Sequence, residues 1–402
     1  MAKIKDFLTE KKRIQQNKNV DYQEKIRAHR LSVFFRATVG IVVVAALIAF
    51  LAINYKSKTY STINTTYTVP VSVVSGAKAL NLNGNLLIYS KDGASCVDAK
   101  GKAIWNESYE MQSPIVSICK STVAIGDYNG RAIYVANSSG VLGTVKTNLP
   151  IRDLSVSDNG VVAAVLDDSD VVRIYVYNGN SDTDTPIVQA KATMNKSGYP
   201  ISVSLSPNGK IMMVSFFYVD SGDMKSSVSF YNFGEVGSNE VDNFVSGFDY
   251  AGTLLPYTCF MDNDSSFGMS NDRLVIFAGD EIPENIATSM LAEEVVGIYH
   301  NESYIGLVFL DTSGEKLYRL DTYNSAGNKL SSISFDLEYT NILYNKDQII
   351  IYDGLRCEIY NTKGVERFKG NFDSNVNLMI PTSSIYKYLL VTGDSLDTIE
   401  FN

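Results

Sequence analysis

Two stretches fifty residues apart, "PIRDLSVSDNGVVAAV" from Pro150 and "PISVSLSPNGKIMMV" from Pro200, have the same form. Each runs Pro-Ile, then alternating apolar and polar residues, then Ser-x-Ser-(Asp/Pro)-Asn-Gly, then a nearly unbroken apolar run. Alternation with period two marks a strand with one buried face, and Asn-Gly marks a tight turn. The phase recurs along the chain. A Pro leads a strand-like run at Pro70 ("PVSVVSG"), Pro114 ("PIVSICK"), Pro150, Pro200 and Pro256 ("PYTCFMD"), and the phase continues without Pro near Val295, Thr340 and Val376. Spacings of 36 to 56 residues in strand-rich sequence are those of β-propeller blades of four strands each. Proline suits the lead position because it lacks a ladder donor and is tolerated at the first residue of a strand.

The segments between the leads repeat as well. "DYNGRAIYVANSSGVLGTV" (127–145) and "IYDGLRCEIYNTKGVERFK" (351–369) align without a gap, matching Gly130 with Gly354, Asn137 with Asn361 and Gly140 with Gly364. Each reads strand, Gly turn, strand, Asn-x-x-Gly turn, strand, with the glycines expected to supply positive φ. Seven phases counted from Pro70 reach about residue 373, and the last 29 residues hold three strands. The missing fourth strand is expected from "KTYSTINTTYTV" (58–69), rich in Thr, Tyr, Ile and Val. The fold class is therefore all-β, a propeller of eight four-stranded blades over 58–402, closed by pairing of 58–69 with the C-terminal blade. The alternative is a seven-bladed ring with a separate strand beside the membrane.

The first 55 residues have another character. Residues 1–36 carry ten Lys and Arg against four Asp and Glu, and 37–55, "ATVGIVVVAALIAFLAINY", has no charge. Nineteen residues at ~1.5 Å each span roughly 28 Å, close to the thickness of a bilayer's hydrocarbon. The basic stretch ahead of it is longer than a secretory signal needs, and no small-x-small cleavage site or lipoprotein-type cysteine follows. The expectation is an uncleaved signal anchor, with a cytoplasmic tail at 1–36, a transmembrane helix at 37–55 and an extracytoplasmic propeller, set by the positive-inside rule.

With the whole chain at −9 and residues 1–36 at +6, residues 37–402 sum to −15. Such a domain lacks the positive field that gathers phosphate backbones, so nucleic acid is not an expected partner, and polyanionic envelope polymers are repelled on average. The expected partners are the membrane, through 37–55, and a protein or glycan at the outer face.

"YSKDGASCVDAKGKAIW" (89–105) resembles the repeat of pyrroloquinoline-quinone-like propellers, while "SVSDNG" and "SLSPNG" resemble the inner-strand turn of WD-type and related bacterial propellers. The whole arrangement of basic tail, span and propeller is similar to an uncharacterised membrane-anchored propeller family of Gram-positive anaerobes, a domain of unknown function. These are motifs of fold, so the resemblance implies shape rather than chemistry. It does not bring the quinone. Quinoprotein propellers use a Trp floor, a vicinal disulfide or similar cover and a calcium ion, whereas this chain has Trp105 alone and no adjacent cysteines. Trp105 is expected to pack between blades, and no cofactor is expected.

Catalytic and metal-binding signals are equally sparse. Cys96, Cys119, Cys259 and Cys357 form no CxxC pair and read as packed thiols. The propeller segment has one histidine, His300 in "GIYHNESY", which reads as a turn residue. "DNDSSFG" (262–268) and "NSDTDT" (180–185) alternate oxygen side chains without the glycine and distal Glu of a calcium loop, so they read as hairpin tips. No residue is assigned to a catalytic, cofactor or metal site. Two functions remain: a non-catalytic binding or scaffolding module for an envelope protein or wall glycan, or a hydrolase or lyase with a Tyr and carboxylate site at the funnel. A convergent ionisable cluster with perturbed pKa values at the funnel mouth would favour the enzyme, and mixed aromatic and polar loops without one would favour binding.

Overall fold

The computed structural model describes residues 2–57, 59–168, 171–192, 198–312, 314 and 316–402, without the side chains of 2–6, 17–24, 51–57 and 190–192. The chain forms two compact units, 1–59 and 60–402. The first is one α-helix, Ala2–Ser57, in which Lys25–Phe50 is long and apolar enough to cross a membrane. Its described apolar side chains from Val39 to Phe50 are exposed, as a stripe all round a helix requires if its partner is lipid.

The second unit is a propeller of eight four-stranded antiparallel blades. Blades 1 to 7 span 78–108, 114–146, 151–192, 199–251, 257–290, 295–335 and 341–371, each running from its innermost to its outermost strand in chain order. Contacts between neighbouring blades link first strand to first strand, which places these strands around the axis. Blade 8 is composite. Leu378–Pro381, Lys387–Val391 and Ser395–Phe401 form its inner three strands, and Ile63–Pro70 pairs antiparallel with the third, from Ile63 opposite Phe401 to Pro70 opposite Ser395. Lys58, at the start of the expected closing segment, lies outside the described residues.

The repeated Ser-x-Ser-x-Asn-Gly has a mechanical reason, because its two serines do different work. The second caps its own turn: Ser157 Oγ accepts the Val161 N–H at 2.9 Å and Ser206 Oγ accepts that of Ile211 at 2.9 Å. The first reaches the next blade, where Ser155 Oγ accepts the Leu205 N–H at 2.9 Å and Ser204 Oγ that of Phe260 at 3.1 Å. Ser117 does the same for Val156 at 3.1 Å. An innermost strand has one edge without a ladder partner, and the hydroxyls satisfy its buried N–H groups while setting the spacing between blades. The Asn-Gly pair finishes the turn, with Gly160 at φ +84° and Gly209 at φ +68°, where a Cβ would be strained.

Two local expectations are corrected. Pro70 does not lead an innermost strand; it ends the outermost strand of blade 8, and blade 1 begins at Lys78–Leu82. Residues 71–77 turn back as a linker in which the Val71 N–H bonds to Asp394 O at 3.1 Å and Val71 and Val73 pack against the core between blades 8 and 1, so their alternation serves burial without a ladder. Gly130, Gly354 and Gly140 are not at positive φ. The left-handed residue beside Gly130 is Asn129 at φ +66°.

Candidate functional site

The innermost strands bring together residues that lie far apart in sequence. Lys120, after blade 2's first strand, meets Glu302, after blade 6's first strand, at 3.0 Å. Blades 2 and 6 stand opposite each other in a ring of eight, so this pair bridges the axis at the face carrying the turns between first and second strands. Close to it, Tyr257 and Cys259 of blade 5 converge on His300 of blade 6: Tyr257 Oη to Nε2 is 3.1 Å and Cys259 Sγ to Nε2 is 3.4 Å. The Phe267 ring stands edge-on to the imidazole at 5.5 Å. His300 is thus corrected from a turn residue to the last residue of the strand Val295–His300; the turn belongs to Asn301, whose Oδ1 accepts the N–H of Ser303 and Tyr304 at 2.9 Å.

This cluster is electrically quiet. Burial pushes the Cys259 thiol up to about 12 and lowers the His300 imidazole to about 4. Burial also raises the Tyr257 phenol. All three groups are neutral at pH 7, so no thiolate–imidazolium pair forms and Cys259 is a poor nucleophile. Cys119 behaves alike, with burial pushing it up to about 11. Among the described residues no group of three or more His, Cys, Asp or Glu is placed to hold a metal ion.

Another ionisable group sits on blade 3's first strand. Asp153 accepts the N–H of Leu154 at 2.9 Å and that of Val203 in the next blade, the position at which blade 4 uses Ser202 to accept from Thr258 at 3.1 Å. Burial raises its carboxyl to about 6, against the two backbone donors. It occupies a blade-joining position.

The acidic loops are joints too. Asp262 Oδ1 accepts the N–H of Asp264 and Ser265 at 2.8 and 2.7 Å, and Asn263 Oδ1 that of Asn208 in blade 4 at 2.9 Å. Asp182 Oδ1 accepts the Thr144 N–H of blade 2 at 2.9 Å. Trp105 packs among residues of blades 1 and 2 and its Nε1 donates to Asn137 O at 2.7 Å.

One concave surface rich in mixed chemistry is a cleft of about 520 Å³ on the side of blade 4 that faces blade 3. Blade 4's middle strands, Ile211–Asp220 and Asp223–Asn232, have ten residues each, against eight in blade 3's middle strands, Val161–Asp168 and Val171–Asn178. The register sorts what blade 4 presents. Phe216, Ser227 and Asp249 form one cross-strand row, Val214, Ser229 and Gly247 the next, and Met212, Tyr231 and Phe244 a third, with Tyr218 beyond Phe216 at the other end. Small residues thus floor a trough with Tyr218 at one end and the edge-to-face pair Tyr231 and Phe244, 6.0 Å apart, at the other. Tyr218 Oη donates to Asp249 Oδ1 at 3.3 Å. The floor was legible in "KSSVSFYN", where Ser227 and Ser229 alternate with Val228 and Phe230, yet the overhang that uncovers it depends on a neighbouring blade.

The sequence profile of a family of unknown function, DUF5711, matches residues 56–401, which is nearly the entire propeller. The chain belongs to the DUF5711 family. No curated protein sequence matches this DUF5711 chain. Among solved structures it is similar to BamB from Moraxella catarrhalis, at 13% identity over 85% of this chain and 100% of that one, with a TM-score of 0.48. It is also similar to Raptor from Chaetomium thermophilum, at 9% identity over 86% of this chain and 29% of that one, with a TM-score of 0.45. At these values the likenesses carry no argument about what the DUF5711 propeller binds.

Proposed function

We propose that this DUF5711 protein is a single-pass membrane protein with residues 1–36 in the cytoplasm, 37–55 across the bilayer and the propeller outside, and that the propeller is a non-catalytic binding or scaffolding module for an envelope protein or wall glycan. The observation that carries the binding reading is the trough on blade 4: aromatic ends, a hydroxyl floor and one carboxylate make a surface suited to holding a ligand rather than transforming it. The axial cluster weighs against the enzyme reading, because its thiol, phenol and imidazole are all driven toward their neutral forms. The Tyr and carboxylate pairs also lie away from the axis, with Tyr360 and Glu358 buried together on blade 7's third strand at 2.8 Å.

In-cell crosslinking of the tagged full chain with identification of its captured neighbours tests the binding role. Recovery of envelope proteins or wall fragments is expected, and exclusively cytosolic neighbours would overturn it. Orientation is tested separately: a cysteine at the exposed Ser181 should react with a membrane-impermeant maleimide on intact cells above the wild-type background, and one at Asn17 only after lysis. Labelling in the opposite sense would reverse the assignment.

A further inference from the structure

Resting on the binding-module reading, we infer that the blade 4 trough is a subsite for a neutral polysaccharide, holding sugar rings between Tyr218 at one end and Tyr231 with Phe244 at the other. Three features select that class. The first is backbone satisfaction. The trough is a face of the sheet, and the N–H and C=O groups between Ile211–Asp220, Asp223–Asn232 and Phe244–Ala251 are paired along their ladders within it; the open outer edge of Phe244–Ala251 is the margin of the sheet, so an extended peptide lying on the face finds no ladder to join. What the surface does offer is side-chain chemistry.

The second is the order of that chemistry. From Tyr231 to Ser227 the strand advances four residues, roughly 13 Å at ~3.3 Å each, and over that length aromatic edge gives way to hydroxyl floor and then to carboxylate. Among the described residues Ser227 Oγ has no hydrogen-bond partner and the Asp249 carboxylate is hydrogen-bonded by Tyr218 alone, through one oxygen at 3.3 Å. A sugar ring has the matching halves: C–H faces that pack on aromatic rings, and hydroxyls that donate to a carboxylate and exchange hydrogen bonds with serines. Phe244 is 44% exposed, so a ring face is available for that packing. Burial, and after it the neighbouring Asp249, raise the Tyr218 phenol.

The third is charge. Among the described residues the only acidic or basic side chain lining the trough is Asp249, and residues 37–402 carry −15, so phosphate-bearing or uronic polymers are repelled on average, whereas a neutral sugar's hydroxyls can donate to that side chain.

The test uses the full chain in micelles of a detergent without a sugar headgroup. Its probes are a β-1,4-linked N-acetylglucosamine tetrasaccharide, maltotetraose as a second neutral sugar and a polyglycerol phosphate as the anionic control. Isothermal titration should show binding of a neutral tetrasaccharide and none of the polyanion. Asp249→Asn and Phe244→Ala should each weaken that binding tenfold or more, and Ser227→Trp, which fills the floor, should abolish it, with the melting temperature recorded for each variant. Absence of binding by both neutral sugars, or binding that survives both Asp249→Asn and Ser227→Trp, overturns the glycan assignment. If Ser227→Trp retains its crosslinked envelope neighbours while no sugar binds, the binding-module reading stands on another surface and this inference alone fails.

Discussion

Tyr60 is where the ring is fastened, and its loss should be felt throughout the propeller. The side chain is 8% exposed, with its ring 5.7 Å from Phe401 and 5.8 Å from Tyr386. Its hydroxyl accepts from Gln348 Nε2; Gln348 Oε1 in turn accepts from Tyr388 Oη at 2.8 Å, and Tyr388 Oη accepts from Asn345 Nδ2 at 2.8 Å. The residue that precedes the first strand is thereby tied to the first two strands of blade 7 and the second strand of blade 8. Tyr60→Phe leaves the Gln348 donor unpaired in a buried network, a cost of about 1–3 kcal/mol. Tyr60→Ala adds a cavity of aromatic size, about 3–5 kcal/mol more. Unfolding entropy of ~2.1 cal/mol/K per residue over Tyr60–Asn402 makes 1 kcal/mol worth about 1.4 °C. Calorimetry of the soluble fragment 58–402 should therefore show the melting temperature falling by about 1–4 °C for Tyr60→Phe and by about 6–11 °C for Tyr60→Ala. The fragment 70–402, which exposes the whole edge of Ser395–Phe401, should melt far lower or aggregate. Equal melting temperatures for 58–402, its Tyr60→Ala variant and 70–402 would refute the fastening role of this segment.

Two further outcomes are expected. Asp153 has a folded pKa of about 6 against an ordinary 3.8, so the folded state holds its proton more tightly, and the stability it contributes is full below about pH 3.8 and lost as pH rises through 6. Relative to wild type, Asp153→Asn should become more stable by up to about 3 kcal/mol between pH 4 and pH 7.5 in denaturant titrations; a difference that does not vary with pH would show that this carboxyl is not buried as described. Ser204→Ala leaves the Phe260 N–H without its acceptor and should cost about 1–3 kcal/mol, a loss that Ser204→Thr should largely spare; an unchanged denaturation midpoint for Ser204→Ala would remove the role given to the first serine of the repeat.

The repeat, seven of the eight strand phases and the apolar helix were legible in the sequence because each is a local pattern. Alternation follows from the pleat, Asn-Gly from the φ of a tight turn, and a charge-free run from what lipid tolerates. Even the division of labour in Ser-x-Ser was visible as a spacing, though not what the first serine was for, since its partner N–H lies in another blade. The tertiary structure alone decided the rest. Pro70 carries the same local signal as Pro114, yet it closes the last blade where Pro114 opens a first strand, because the packing of 71–77 between blades 8 and 1 determines where the ladder starts. His300 meets Tyr257 and Cys259 because first strands of adjacent blades share the axis, and the forty or more residues of sequence between them carry no trace of it. The trough on blade 4 lies on ten-residue strands that stand beside a blade whose middle strands have eight. Pattern fixes which face of a strand is small or aromatic; whether that face is covered depends on the length of the neighbour, a relation between two elements that no single stretch of sequence contains.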